Sequence, residues 1–115
     1  MDQDIGQLSV DIFQTKTELI IVAPIAGMSS KNVDISVTEE ILTIKGERKS
    51  NHPNVPEKDY LTKECFWGPF QRSIILPKNA NAKEINASFK NNVLEIKIPK
   101  TTEEKTKVVK IHVDT

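Results

Sequence analysis

Few residues of this chain carry groups that could do chemistry. Its one cysteine, Cys65, and its two histidines, His52 and His112, are the candidates for a nucleophile with its base or for a set of metal ligands. A nucleophile needs its base within hydrogen-bond reach, and a metal site needs several ligands in one geometry. His52 lies in a polar loop beside a proline and His112 lies between two apolar strand positions, so nothing in the spacing brings either to Cys65. We therefore predict that the protein is not an enzyme and holds no metal, and that Cys65 is a small packing residue beside aromatic neighbours.

Binding of nucleotides, nucleic acids and membranes is also not expected. The chain contains neither GxxxxGK[ST] nor GxGxxG, so we expect no ATP and no other cofactor. Its 16 basic and 16 acidic residues balance, whereas proteins that neutralise many phosphates usually carry a basic excess. The longest apolar run, Leu19 to Met28, is too short to span a bilayer and is interrupted by Pro24 and Gly27.

The expected compartment is the cytoplasm. No signal peptide precedes the first predicted strand. A single cysteine cannot form an internal disulfide, which fits a reducing environment.

Arg72 lies in the stretch GPFQRSIILP, two residues before an apolar strand position. Spacing alone leaves two interpretations open. It is either an exposed arginine at a strand edge or a paired arginine at a subunit contact, where its planar guanidinium holds a carboxylate.

The elements that must position these residues are strands. Aromatic residues make up only 5% of the chain, so the core has to be aliphatic, and Ile and Val favour strands. Alternation, or a short continuous apolar run, predicts strands at 8–12, 19–22, 33–37, 41–45, 74–76, 85–89, 94–98 and 109–113. Turns are expected at Thr38 to Glu40 and at Asn91-Asn92, and one helical turn within 77–85, capped by Asn81. About eight short strands separated by turns predict an all-β, immunoglobulin-like β-sandwich.

Two segments do not fit a compact sandwich. Glu47 to Glu57 is polar and opens an excursion of roughly twenty residues, which is uncommon unless such a loop is functional or disordered. Within it, Asp59 to Lys63 has the pattern of a short strand of its own. The second segment, Pro99 to Lys107, is charged and leads to an apolar strand. We therefore divide the chain into a short N-terminal remnant at 1–7, the domain at 8–99, a flexible linker at 100–107 and a tail strand at 108–115.

Three motifs in this order resemble the small heat-shock proteins, the α-crystallin-domain chaperones, over residues 8 to 113. The stretch ASFKNNVLEIKIPK resembles the family signature A-x-x-x-n-G-v-L, which it matches at Ala87, Asn91, Val93 and Leu94. ISVTEEILTIKGER resembles the hairpin that ends in L-x-I-x-G-E-R. WGPFQRSIILP resembles y-G-x-F-x-R-x-x-x-L-P, with Trp67 in the tyrosine position.

The chain departs from the family pattern in two places. Asn92 stands where the family usually has Gly, and a turn residue with positive φ explains both choices, because Asn tolerates the left-handed region. The family also carries an apolar arm before its domain, whereas only Met1 to Gln7 precedes the first predicted strand here. Either a longer chain has been shortened or this member has no arm, which leaves the expected assembly size open.

The resemblance implies an ATP-independent chaperone, a holdase that binds unfolding proteins and prevents their aggregation. The alternative is a co-chaperone adaptor of the related CS-domain type, which docks one specific protein. That class lacks the apolar I-x-V tail, so Ile111-His112-Val113 after a polar linker favours the holdase.

The resemblance also implies where partners bind. In non-animal members a loop strand is exchanged between two subunits, which assigns the dimer interface to Arg72, Leu8, Val10, Ile12, Tyr60, Leu61 and Thr62, with 58–64 pairing against 8–13 of the partner. The family's tail motif fills an apolar groove, which corresponds here to Val33, Ile35, Val37, Ile85, Ala87 and Phe89. The matching tail residues are Val109, Ile111 and Val113. Expected partners are thus a second copy of the chain, higher oligomers through the tail and non-native client proteins.

Overall fold

The computed structural model describes residues 5–28, 30–101, 109–111 and 113. Its strands are β1 Gly6–Gln7, β2 Asp11–Gln14, β3 Glu18–Pro24, β4 Val33–Thr38, β5 Ile41–Arg48, β6 Gly68–Ile75, β7 Asn86–Lys90 and β8 Val93–Pro99. The helical elements among these residues are three single 3-10 turns, Ser30–Asn32, Glu57–Asp59 and Ala82–Glu84. The all-β prediction is thereby confirmed.

The strands form two four-stranded sheets, in the orders β1-β6-β5-β4 and β2-β3-β8-β7. All pairs are antiparallel except β1 with β6, which is parallel and joins Gly6 to Phe70 and Gln7 to Gln71. Residues 8–10 alone link β1 to β2, a length just sufficient to cross between sheets stacked about 10 Å apart. The β1 and β2 edges therefore lie on one side of the sandwich, and β4 and β7 form the opposite side.

The core lies between the sheets and is aliphatic apart from one ring. Alternate residues of each strand point inward, and the fully buried side chains of largest volume are Ile21, Ile25, Leu42, Ile44, Leu94, Ile96 and Ile98. Phe70 is the aromatic member of this core.

The turns form as the sequence predicts. Asn91 and Asn92 have φ of 53° and 63°, the left-handed values that a tight two-residue hairpin requires at both positions. Asn81 caps the Ala82–Glu84 turn, since its Oδ1 accepts a hydrogen bond from the Lys83 N–H at 3.2 Å. Both local predictions are confirmed.

Three predicted strands differ from the observed ones. The alternation at 8–12 spans the crossing between β1 and β2, because Leu8 leaves its sheet to fill the core, where it is only 2% exposed. Within the long loop, Glu57–Asp59 is a 3-10 turn and the residues from Tyr60 to Trp67 are not in a strand. The described residues of the predicted tail strand, 109–111 and 113, are likewise outside any strand. Backbone hydrogen bonds continue to Thr101, whose N–H donates to the Asn79 carbonyl.

Candidate functional site

The reactive side chains are not assembled into a site in the part of the chain that the structure describes. Cys65 and His52 are both exposed on the loop between β5 and β6. Among the described residues, no group of three or more His, Cys, Asp or Glu side chains is placed to hold a metal ion. In the same residues, no helix is long and apolar enough to cross a membrane. His112 lies outside the described residues.

One candidate surface is the free edge of β2. Among the described residues, the strand pairs with β3 on one side and has no neighbour on the other. Its side chains are all exposed, including the apolar Ile12 at 44% and Phe13 at 50%. An open strand edge with apolar side chains can pair with another chain.

The second candidate surface lies on the loop between β5 and β6. Leu61 is fully exposed at its centre. Lys63 pairs with Glu57 across the 3-10 turn, and its ammonium lies 4.9 Å from the centre of the Tyr60 ring. The hydrogen bond from Lys63 to Glu57 raises the pKa of that ammonium above its ordinary value of 10.5. The Lys63 side chain is thus held by Glu57 and Tyr60, whereas the apolar side chain of Leu61 is uncovered.

The end of this loop is anchored by two aromatic residues that meet glycines. The Phe66 ring lies where a Cβ on Gly6 would be, at 2.6 Å, and the Trp67 ring lies at the same distance from a Cβ on Gly27. Gly27 also has a φ of +77°, which disfavours any other residue. The loop is therefore fixed to the domain at its C-terminal end. Sequence reasoning missed these contacts, because aromatic residues and glycines far apart in the chain give no pairing signal.

A cavity of about 200 Å³ lies beneath this anchor, lined by Gly6, Gln7, Leu8, Arg48, Phe66 and Phe70. The Arg48 guanidinium stands over the Phe70 ring at 5.9 Å, within range of a cation–π contact. Its Nε is buried without a hydrogen-bond partner in the described structure.

Arg72 lies at the same side of the sandwich. It is cross-strand to the buried Ile44 and so points toward the inner face, where it is half-buried. Its Nη1 donates to the Leu8 carbonyl at 3.4 Å. Of the two interpretations of Arg72, the exposed strand-edge arginine is thus the one that its burial does not fit.

Leu8 itself differs from the expectation for an interface residue. Its side chain belongs to the core cluster, and Val10 packs against that cluster. The backbone of Leu8 is bonded to β6, since its N–H donates to the Gln71 carbonyl at 3.4 Å and its carbonyl accepts from Arg72 Nη1.

The opposite side of the sandwich carries the predicted groove residues. Val33, Ile35 and Val37 are half-buried, while Ile44 and Leu42, which pair with the last two of them, are buried. On the other sheet, the cross-strand partners of Ala87 and Phe89 are the buried Ile96 and Leu94, so both residues face inward. Ile85, just before β7, and Phe89 are half-buried, and Ala87 is exposed. The core becomes thinner toward this edge and leaves inward-facing apolar side chains partly uncovered.

The tail residues Val109, Ile111 and Val113 are exposed. Residues 102–107 of the predicted linker and residue 108 of the predicted tail lie outside the described residues. Val33, Ile35 and Val37 thus lie on β4, and Ala87 and Phe89 on β7, with these two edge strands on the same side of the sandwich.

Comparison with known proteins places this architecture among characterised ones. The family model for the Hsp20/alpha crystallin family matches residues 11–114. Small heat shock protein C2 of Rickettsia felis is 41% identical over 103 residues, which cover 88% of this chain and 65% of that protein. Small heat shock protein C4 of the same organism is 36% identical, with 88% and 61% covered. The chain therefore spans less than two thirds of the length of these two relatives.

Solved structures give the same result. The crystal structure of a small heat-shock protein from Xylella fastidiosa superposes with a TM-score of 0.75 at 28% identity, and the match covers 92% of this chain and 96% of that one. HspA from Xanthomonas axonopodis superposes with a TM-score of 0.76 at 32% identity, covering 84% and 96%.

Proposed function

This chain belongs to the Hsp20/alpha crystallin family, and from that premise we propose that it is an ATP-independent chaperone, a holdase that binds unfolding proteins and prevents their aggregation. The proposed location is the cytoplasm. The proposed partners are a second copy of the chain, further copies through the tail, and non-native client proteins.

The observation that carries the proposal is the pair of inward-facing apolar rows on β4 and β7. They belong to edge strands, and their side chains are only partly covered. Partly unfolded proteins expose apolar side chains and unpaired strands. An edge that offers both unpaired backbone and apolar side chains can hold such segments without a chemical step.

The tail supports reversible use of that surface. Ile111 and Val113 are exposed in the described structure and match the family's tail motif. A linker of residues 100–107 spans about 25 Å when extended, which is enough to reach a neighbouring subunit. Burial of two aliphatic side chains is worth about 3–6 kcal/mol before ordering costs, so a tail in the groove is a link that a client can displace.

The proposed dimer uses the other side of the sandwich. Loop residues 58–64 of one subunit pair with the β2 edge of the other. The support is the free β2 edge with its exposed Ile12 and Phe13, together with the uncovered Leu61 in the loop. Pairing would cover both open edges and so protect the dimer from uncontrolled aggregation.

Suppression of aggregation tests the holdase proposal. Three unrelated proteins that aggregate on heating are followed by light scattering with and without this chain, and no nucleotide is added. The expected result is delayed scattering for all three. Protection of none of them would contradict the holdase, and protection of a single one would favour the specific adaptor.

Two matched variants test whether the groove is the surface responsible. Ala87→Lys places a charge on the exposed inner face of β7, while Ser88→Lys places the same charge on its outer face, opposite Glu95. We expect Ala87→Lys to lose most of the protection and Ser88→Lys to keep it. Equal protection by the two variants would show that clients bind elsewhere.

A further inference from the structure

The cavity beneath the Phe66 anchor has one charged wall, which Arg48 provides. Side chains two residues apart on a strand share a face, so Arg48 continues the inward row of Leu42 and Ile44 on β5. Those two side chains are fully buried in the core, whereas Arg48 is half-buried. An otherwise apolar row of the inner face therefore ends in a guanidinium.

Gly46 explains why this guanidinium lies beside an aromatic ring. It pairs with Phe70 across the two strands, and a Cβ on Gly46 would lie 2.5 Å from the tip of the Phe70 ring. The ring thus lies across β5 at the position that has no side chain, and the Arg48 guanidinium stands 5.9 Å from its centre. Such a contact attracts the positive charge but gives the N–H groups no oxygen or nitrogen acceptor.

One hydrogen-bond donor of Arg48 is buried and has no acceptor. Its Nε has no partner among the described residues. Neither of the ion pairs formed in that part of the chain includes Arg48, and none of the side chains around the cavity is acidic. A buried charged donor without an acceptor is unfavourable, so the cavity favours an occupant that brings one.

The walls and the volume of the cavity define the rest of the occupant. Leu8 and Phe70 are buried and form its apolar inner part, while Phe66 is exposed and lies toward solvent. The volume is about 200 Å³. An apolar cavity of about 150 Å³ holds a benzene molecule, whereas drug-sized ligands occupy about 300 Å³ or more. One ring or a short aliphatic chain with one small polar group therefore fits, and a nucleotide does not.

We propose that this cavity binds a small monocarboxylate that carries an aromatic ring or a short aliphatic chain. The apolar part packs against Phe66 and Phe70, and a carboxylate oxygen accepts a hydrogen bond from the Nε–H of Arg48. A carboxylate suits this residue because the planar guanidinium can donate two parallel N–H bonds to its two oxygens. The site is separate from the β4–β7 groove and does not depend on the proposed chaperone activity.

Titration of the whole chain with different probes tests the ligand class. Benzoate carries the ring and the carboxylate, benzyl alcohol the ring alone, acetate the carboxylate alone, and inorganic phosphate only charge. In two-dimensional proton–nitrogen NMR spectra, we expect benzoate to move the Nε–H signal of Arg48 and to bind about tenfold more tightly than each of the others. Equal affinity for benzoate and benzyl alcohol would overturn the carboxylate class. An Arg48 signal that does not move with benzoate would overturn the site.

Two matched variants separate this site from a general attraction of anions. Arg48→Met removes the guanidinium but keeps a long side chain, and it should weaken benzoate binding about tenfold while leaving benzyl alcohol binding unchanged. Lys45→Met removes the same charge from the exposed outer face of the same strand and should leave benzoate binding unchanged. Benzoate binding that is unchanged in Arg48→Met, or reduced equally in both variants, would overturn the proposal. The preference of the parent for benzoate over benzyl alcohol needs no variant, so it decides the matter if Arg48→Met does not fold.

Discussion

At the residue scale, the two asparagines of the β7–β8 turn show how side-chain type sets local stability. Asn91 and Asn92 both have positive φ, a region that costs most other residues about 1 kcal/mol or more. Asn92→Ala should therefore lower the free energy of unfolding by about 1 kcal/mol, and Asn92→Gly should raise it slightly, since glycine adopts positive φ readily. Urea unfolding measures both. A loss of stability in the glycine variant equal to that of alanine would show that the Asn side chain, not its backbone, supports the turn.

Arg72 is the residue whose environment connects the core with the proposed dimer. Its Nη1 donates to the Leu8 carbonyl from a half-buried position, and hydrogen bonds from charged groups contribute about 1.5–3 kcal/mol. Arg72→Ala should cost about 1.5 kcal/mol in urea unfolding and weaken dimerisation, because Leu8 leads directly into the β2 edge. Arg72→Lys keeps the charge but lacks the planar guanidinium. Its stability and dimer affinity should lie between those of the parent and those of Arg72→Ala.

The contrast between those variants defines the role of Arg72. If both leave melting and dimer affinity at the parent's values, the contact with Leu8 contributes nothing and the assignment to the interface is wrong. If melting falls and dimer affinity does not, Arg72 serves only the fold of its own subunit.

At the element scale, the loop between β5 and β6 allows a deletion that leaves both sheets intact. Arg48 and Gly68 are cross-strand neighbours, so the six residues that remain after removal of Asn51 to Lys63 can join them as an ordinary hairpin connection. Phe66 and Trp67 remain in place on their glycines. The deletion variant should keep the parent's circular dichroism and sediment as a monomer.

A variant in which Asn51 to Lys63 are replaced by the same number of Gly and Ser residues is the matched control for that deletion. It should also give monomers, because the proposed pairing depends on the side chains of 58–64 and not on loop length. Dimers in either variant would rule out the exchange of this loop.

The sequence predicts elements well where neighbours in the chain pair with each other. The β4–β5 and β7–β8 hairpins follow from alternation and from turn residues that lie between their strands. The sequence does not predict pairing between strands that are short and far apart in the chain. The parallel contact of Gly6 and Gln7 with β6 joins residues more than sixty positions apart and has no local signal. Leu8 continues the alternation of its neighbours although the chain there crosses between sheets.

The sequence also predicts only part of the candidate site. The inward-facing apolar residues of β4 and β7 follow from the two-residue period of strands. The proximity of Phe13 and Ile20 on the outer face of their sheet does not, because these residues approach each other only through the β2–β3 register. Alternation alone is not sufficient either, since the described tail residues 109–111 and 113 alternate in polarity and are outside any strand.

At the scale of the whole molecule, the tail is the segment that we propose links one dimer to the next. Ile111→Gly/Val113→Gly removes the two side chains proposed to enter the groove of a neighbour and should reduce any larger assembly to dimers without loss of secondary structure. Multi-angle light scattering measures the mass, and Lys110→Gly, which changes the adjacent polar residue of the same described segment, is the control. An unchanged mass above the dimer in the double variant would place the link elsewhere.

The edge strands β1 and β2 lie on one side of the sandwich, and β4 and β7 lie on the other. This arrangement has a consequence for the symmetry of any assembly. The proposed contact through β2 and the loop would use the same two surfaces of each copy, so it would be isologous and close on itself about a twofold axis. The proposed contact of a tail with the β4–β7 side would join unlike surfaces, so it would be heterologous, and each dimer would offer two tails and two grooves. Such a unit closes into a shell only if the angle between successive links returns to the start, and otherwise grows without limit. If the tail links dimers as proposed, the number of copies would follow from the angle at the linker and not from the fold of the domain.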